Sequence, residues 1–445
     1  MRIKRLFVII ALLSLMVVVG CAQQASEPGG VTENSSENES VEEIHLRFSW
    51  WGGDTRHEAT LEAIEIYMEQ NPHVKISGEY GGFDGYFTKL TTQLVGNTAP
   101  DIIQVDQPVM GDLTSRGDFF VDLREYEAIL DISGFDTRFL EDYSYYNGKL
   151  VGLPTGVNAN NIIVNTKVAE AVGIDLSVPY TWDKVFEDAK KIRDYDKEMY
   201  LFNIGKNPIR YHVLVPYLSQ ILGGQFIQDD YTFGFTREQL IDAYTLIRRI
   251  YEEGVTEPAS QSKPFEAFYE TNPKWINHQY LGMLHEASIT GPEYYNFPEH
   301  AAVMLPPIRE DAKDSGIVIK PSQLIVINKN SAHVEEAIKF LDFFFNSEDA
   351  LHALKGVRGV PATELGRKIA DENGYVDPLS VQTIEMAMER PGIPVNDISN
   401  NSEVIAIQYD AIDKLAFGAG TVEEIADESI RHLENFLSSM KANAE

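Results

Sequence analysis

A single cysteine, Cys21, occurs in 445 residues. One thiol cannot close an internal disulfide, and it cannot supply a cysteine-based zinc site or an iron–sulfur cluster. Cations are scarce too: 37 Lys and Arg stand against 68 Asp and Glu, a net charge of −31. So acidic a surface repels phosphate backbones and anionic headgroups, which argues against nucleic-acid partners and electrostatic adsorption to membranes. Catalytic signatures are also missing. His57-Glu58 and His285-Glu286 are not completed by a second histidine at zincin spacing. There is no Gly-x-Ser-x-Gly elbow, phosphate loop or dinucleotide fingerprint after the first strand. Ten histidines are scattered without ligand spacing, so neither a metal nor a cofactor is expected, and no catalytic residue is assigned. A glycosidase-type acid pair stays open, because sequence does not give carboxylate separation. What the chain has in quantity is apolar residues, 44%, and aromatics, 11%. That suffices for packed cores in about two domains.

Residues 1–20 begin with Arg2, Lys4 and Arg5, then run apolar from Leu6 to Val19 with only Ser14 polar. As a helix this run spans only ~21 Å, short of the ~30 Å hydrocarbon core, so it reads as a secretory signal peptide. An N-terminal membrane anchor is the alternative. Val18-Val19-Gly20-Cys21 resembles the bacterial lipobox, in which cleavage precedes a cysteine that carries diacylglycerol. The resemblance implies acylation (palmitate or a similar chain) at Cys21, with enough chains for stable anchoring. In residues 21–43 only Val31 and Val41 are large and apolar. Such a segment cannot bury enough surface to fold, and it reads as a flexible tether.

Folded sequence starts where Ile44, Leu46, Phe48 and Trp50 alternate, a strand pattern. Gly52-Gly53 stops it, and Thr55-x-x-Glu58 has capping-box spacing for a helix that runs to Gln70. A strand over 74–80, a helix over 84–94 and a strand over 101–105 follow. Strands alternating with helices across short connections predict an α/β sheet with parallel members. Later segments repeat the style, with strands over 161–164 and 323–328 and helices over 239–252, 334–345, 403–416 and 421–440.

Polar and aromatic residues cluster in three loops at strand ends: Trp51 to His57, Gly81 to Tyr86, and Asp106-Gln107. In open α/β sheets, ligands bind beyond the carboxyl ends of the strands, so these loops converge on one site. Flat aromatic faces beside carboxylates and amides suit sugar rings. Trp50, on the alternating face, is expected in the core. Trp51, at the loop junction, is expected to face a ligand, with core packing as its alternative.

Several stretches, in this order, carry a resemblance. They are Ala99-Pro-Asp101-Ile-Ile, Tyr146-Asn-Gly-Lys-Leu-Val-Gly-Leu-Pro154, Ile162-Ile-Val-Asn165, Thr181-Trp182, Gly282 to Ser288, Leu324 to Asn328 and Val357-Arg-Gly-Val-Pro361. From Ile44 onward the chain is similar to extracellular solute-binding proteins of carbohydrate ABC importers, the group that includes maltose-binding protein. Within it, Trp50-Trp-Gly-Gly-Asp-x-Arg56-His57 with Phe83-Asp-Gly-Tyr86 looks most like members that bind plant cell-wall oligosaccharides, including pectin-derived oligogalacturonides.

The resemblance implies an α/β, two-lobe, periplasmic-binding-protein-like fold of type II, with a hinge and an interlobe ligand cleft. One lobe would comprise 44–155 plus 322–360, the other 156–321 plus 361–445, with crossings near 154–158, 320–323 and 358–363. It implies a monomeric, non-enzymatic substrate-binding component on the extracellular face of the membrane (the periplasmic side in a Gram-negative cell). Its partners would be an oligosaccharide and the permease subunits. A secreted lipoprotein enzyme acting on the same sugars, and a binder of another small solute, are the alternatives.

Residue by residue, Asp54 matches a hydrogen-bonding carboxylate after strand one, and Asn158 a polar contact past the first crossing. His285-Glu286-Ala287-Ser288 matches a cleft loop that often holds a tryptophan in relatives; none is present here, and Trp275 is the substitute considered. Trp51, Arg56, His57, Phe83, Tyr86, Asp106 and Arg358 complete the expected ligand set. For His285 and Asp106 a purely structural role is equally open. Arg56 either sits inertly in the first helical turn or meets a uronate. Arg358 either braces the hinge through a carboxylate or meets a uronate, whose carboxylate fits a guanidinium with two parallel hydrogen bonds.

Overall fold

The alternating residues form β1, Ile44–Trp51, which buries Leu46, Phe48 and Trp50 on one face. The computed structural model describes residues 43–205, 208–266, 268–286 and 297–444. The expected signal peptide, Cys21, the tether up to residue 42, and Ser288 lie outside the described residues. In chain order the remaining strands are β2 Val74–Gly81, β3 Ile102–Val105, β4 Tyr145–Tyr146, β5 Lys149–Leu150, β6 Gly152–Pro154 and β7 Gly156–Asn165. Then come β8 Tyr200–Asn203, β9 Tyr280–Glu286, β10 Ala301–Met304, β11 Ile319–Pro321, β12 Leu324–Ile327 and β13 Val360–Pro361.

Two larger sheets result. The first has the order β2-β1-β3-β12-β6, with β1 parallel to β2 and β3, and β12 antiparallel to β3 and β6. Helices α1 (Asp54–Gln70) and α2 (Tyr86–Val95) make its parallel crossovers, and α3 (Gln107–Arg116) leaves the end of β3. The second has the order β10-β7-β9-β8, and β11 and β13 also pair with β7. All ten residues of β7 are buried, so this strand is the spine of the second sheet. Separate apolar clusters back the sheets, one built on Phe48, Trp50 and the Phe340–Phe345 helix face, the other on Ile162, Trp182, Leu240 and Leu415. Among the described residues, no helix is long and apolar enough to cross a membrane. The architecture is the expected two-lobe α/β fold.

Two helix starts differ from expectation. The first begins at Asp54 with Gly53 as N-cap and no side-chain cap, so Thr55 already lies inside the first turn and cannot form a capping box. The second begins at Tyr86, because Gly85 has φ +76°, a left-handed conformation that ends the preceding turn.

The chain passes from the first sheet to the second through Thr155, returns through Ser322 and Gln323, and reaches β7 again at Val360. These passages are tied to one another. Thr155 donates its N–H to the Gln323 carbonyl at 2.9 Å and its hydroxyl to Gln323 Oε1 at 3.0 Å, while Ser322 N–H donates to the Gly156 carbonyl at 2.9 Å.

Candidate functional site

Where the sheets meet, a cavity of about 360 Å³ opens to solvent. That volume is in the range of small-ligand clefts, about 300–1,000 Å³. Its wall draws Arg56 from α1, Asp106 from the end of β3, Asn158 from β7, Lys320 from β11, and Val357 and Arg358 from the third passage. Both sheets therefore contribute to one site.

Arg56 is held in place by two backbone carbonyls: Nε donates to Val357 O and Nη1 to Trp51 O, each at 3.1 Å. Among the described residues its Nη2 has no hydrogen-bond partner. Behind it, Arg358 is 5% exposed. Its Nε donates to Gln104 Oε1 and its Nη2 to Thr60 Oγ1, both at 2.9 Å, while Nη1 has no partner among the described residues. The guanidinium also lies 5.4 Å from the Phe344 ring centre. Arg358 is thus tied to the first sheet and α1 by amide and hydroxyl oxygens, where a carboxylate was expected. Burial lowers the pKa of both arginines, and Arg56 adds repulsion that lowers Arg358 further. Arginine stays charged regardless, so both remain desolvated cations. Among the described residues neither forms an ion pair.

On the second sheet, Asn158 Nδ2 donates to Glu286 Oε2 at 2.6 Å, and Lys320 Nζ stands 3.8 Å from Glu286 Oε1. Burial pushes the Glu286 carboxyl up, but Lys320, His212, the Asn158 hydrogen bond and His285 together hold it below its ordinary value. His212 is buried on a π-helical turn, Ile209–Leu214, and burial takes its pKa down to about 4 against the opposing charge of Glu286. Asp106 is raised by burial, with Lys320 opposing. His285 is buried, with Nδ1 3.1 Å from the Tyr269 hydroxyl.

The aromatic candidates lie beside this cavity and are not among its lining residues. Trp51 is 8% exposed, its ring 5.7, 5.1 and 5.2 Å from Phe83, Tyr86 and Phe87. Phe83 is 53% exposed. The Tyr86 hydroxyl accepts from Ser49 Oγ and donates to Gln104 O, both at 3.0 Å, which ties α2 to β1 and β3. His57 Nδ1 accepts from Trp50 Nε1 at 3.0 Å, and burial lowers its pKa. Asp54 is exposed at the start of α1, where the helix dipole favours a carboxylate. Trp275 is elsewhere: it is 2% exposed in an apolar cluster with Tyr280, Met283 and Phe297.

Sequence reasoning missed four polar groups at or near the site: Gln104, Lys320, Gln323 and His212. Lys320 and Gln323 could have been found, since both fall in a stretch read as a crossing. Gln104 sits within an apolar strand, and the π-helical turn that carries His212 leaves no pattern in the sequence.

A profile of the family described as bacterial extracellular solute-binding protein matches residues 53–350. Among solved structures, the chain is similar to a periplasmic solute binding protein from Pectobacterium atrosepticum, with 28% identity over 89% of this chain and 99% of that one, TM-score 0.74. It is similar also to a periplasmic oligogalacturonide binding protein from Yersinia enterocolitica, with 26% identity over 89% of this chain and 99% of that one, TM-score 0.75. A Brucella abortus protein named as a binding protein is 24% identical over 304 residues, 64% of this chain and 68% of that one.

Proposed function

The chain belongs to the bacterial extracellular solute-binding protein family, and we propose that within it the protein captures an acidic oligosaccharide for an ABC importer. A substrate-binding, non-enzymatic role in ABC import follows from the family and from the binding proteins it resembles. The acidic character of the ligand rests on one observation. In a protein of net charge −31, the described residues lining the cavity include three cations, Arg56, Lys320 and Arg358, and one carboxylate, Asp106, with Glu286 3.8 Å from Lys320. An anion entering from solvent meets repulsion at long range and local attraction from these three cations.

The Yersinia relative is named for binding oligogalacturonides and is also known in complex with saturated digalacturonic acid. It supports a pectin-derived ligand. In this reading the residues of 44–155 plus 322–360 and of 156–321 plus 361–445 act as lobes that close over the sugar. Closure is favoured because only the closed form offers contacts from both sides. A lipidated Cys21 would hold the monomer at the outer face of the membrane, within reach of the permease.

A thermal-shift screen over acidic and neutral oligosaccharides tests the ligand class. A bound ligand at a hundredfold excess over its dissociation constant adds about 2.7 kcal/mol of stability. Oligogalacturonides should raise the melting temperature where neutral galactose oligomers do not. The reverse pattern would discard the acidic reading.

A further inference from the structure

Arg358 is only 5% exposed, yet it carries a full charge at the wall of the cavity. Its Nε and Nη2 are spent on Gln104 and Thr60, and Nη1 is enclosed without a partner among the described residues. The bonds around it form a closed circuit. Gln104, which accepts from Arg358, donates its Nε2 to Trp51 O at 3.2 Å. Trp51 O also accepts from Arg56, and Arg56 donates in turn to Val357, the residue before Arg358. Nothing in this circuit is anionic. The fold therefore keeps two like charges side by side, in a setting where neutral side chains could have made the same hydrogen bonds.

We infer that Arg358 is a specificity-determining positioning residue: its buried charge, acting through Arg56 and across the cavity wall, selects ligands that carry a carboxylate over neutral sugars. The inference rests on the acidic-ligand reading above and deepens it. Arg56 presents its unpartnered Nη2 to the ligand and fixes the geometry. Arg358 supplies a second positive charge that solvent cannot screen as it would a surface lysine. Because Arg358 lies on the third passage between the sheets, a carboxylate that offsets the paired cations also steadies that passage.

His57 gives a readout that needs no ligand. The neighbouring Arg56 and Arg358 charges lower its pKa, Asp54 raises it, and burial is the largest cause of its depression. In Arg358→Gln the His57 ring, followed by NMR, should titrate at higher pH than in the parent, and Arg358→Lys should restore the parent value. A merely structural role predicts no such rescue by charge. In binding assays, Arg358→Gln should cut the affinity ratio of digalacturonic acid over galactobiose about tenfold, and Arg358→Lys should keep it within about threefold. In the unaltered protein, that ratio should survive a rise from about 0.05 to 0.5 M salt, a check that does not depend on a variant folding. An unmoved His57 titration, equal ratios in Arg358→Gln and parent, or a ratio abolished by salt would each overturn the inference. Failure of the parent to bind digalacturonic acid at all would instead sink the acidic-ligand reading, while the His57 shift would still report the field.

Discussion

Gly156 and Arg358 lie on different passages between the two sheets, and a Cβ on Gly156 would sit 2.5 Å from the Arg358 carbonyl oxygen. The same Cβ would lie 2.9 Å from the Val360 carbonyl and 3.2 Å from Ser322 Oγ. All three passages therefore converge on a point with no room for a methyl group, and two of the obstructing atoms are backbone.

Gly156→Ala should consequently destabilise the protein by about 1–3 kcal/mol, the usual penalty for overpacking a rigid site. Urea unfolding measures it. An unchanged midpoint would mean that the passages can slide apart freely.

Trp51→Ala should cost about 3–5 kcal/mol, as for other large aromatic truncations in a core. Its ring is enclosed by Phe83, Tyr86 and Phe87. Full stability together with lost sugar binding would instead vindicate the expectation that this indole faces the ligand.

Period-two alternation placed β1, and Trp50, at 0% exposure, is core as that alternation requires. The adjacent Trp51 shows the limit of the same reasoning. Alternation puts it on the opposite face, but whether that face meets ligand or α2 depends on where Phe87 packs, which is a tertiary matter. Likewise Arg56 and Arg358, 302 positions apart in the chain, could each be suspected alone. Nothing local says that Val357 O and Trp51 O join them in one circuit. The capping-box expectation failed because Gly53 opened the helix one residue before Asp54, and a glycine cap leaves no side-chain signature.

His212 makes the acid limb of stability testable. Its folded pKa of about 4 lies below the unfolded value near 6.5. The unfolded chain therefore binds more protons between those values, and stability falls as pH drops through that window. The loss should reach about 3 kcal/mol below pH 4. In His212→Gln the slope of unfolding free energy against pH between 6.5 and 4 should flatten. A slope equal to the parent's would assign acid sensitivity to other groups.

Cys21→Ala should abolish metabolic labelling with palmitate and leave an uncut precursor. Labelled lipid on the Ala variant would refute the anchoring cysteine.

Isothermal titration of the unaltered protein with digalacturonic acid and with galactobiose, each mixture then assayed for released monosaccharide, tests the central claim most directly. We predict a one-to-one complex with the acid, binding of the neutral sugar weaker by about 2–5 kcal/mol, and no released product. Equal affinity for the two sugars, or hydrolysis of either, would contradict it.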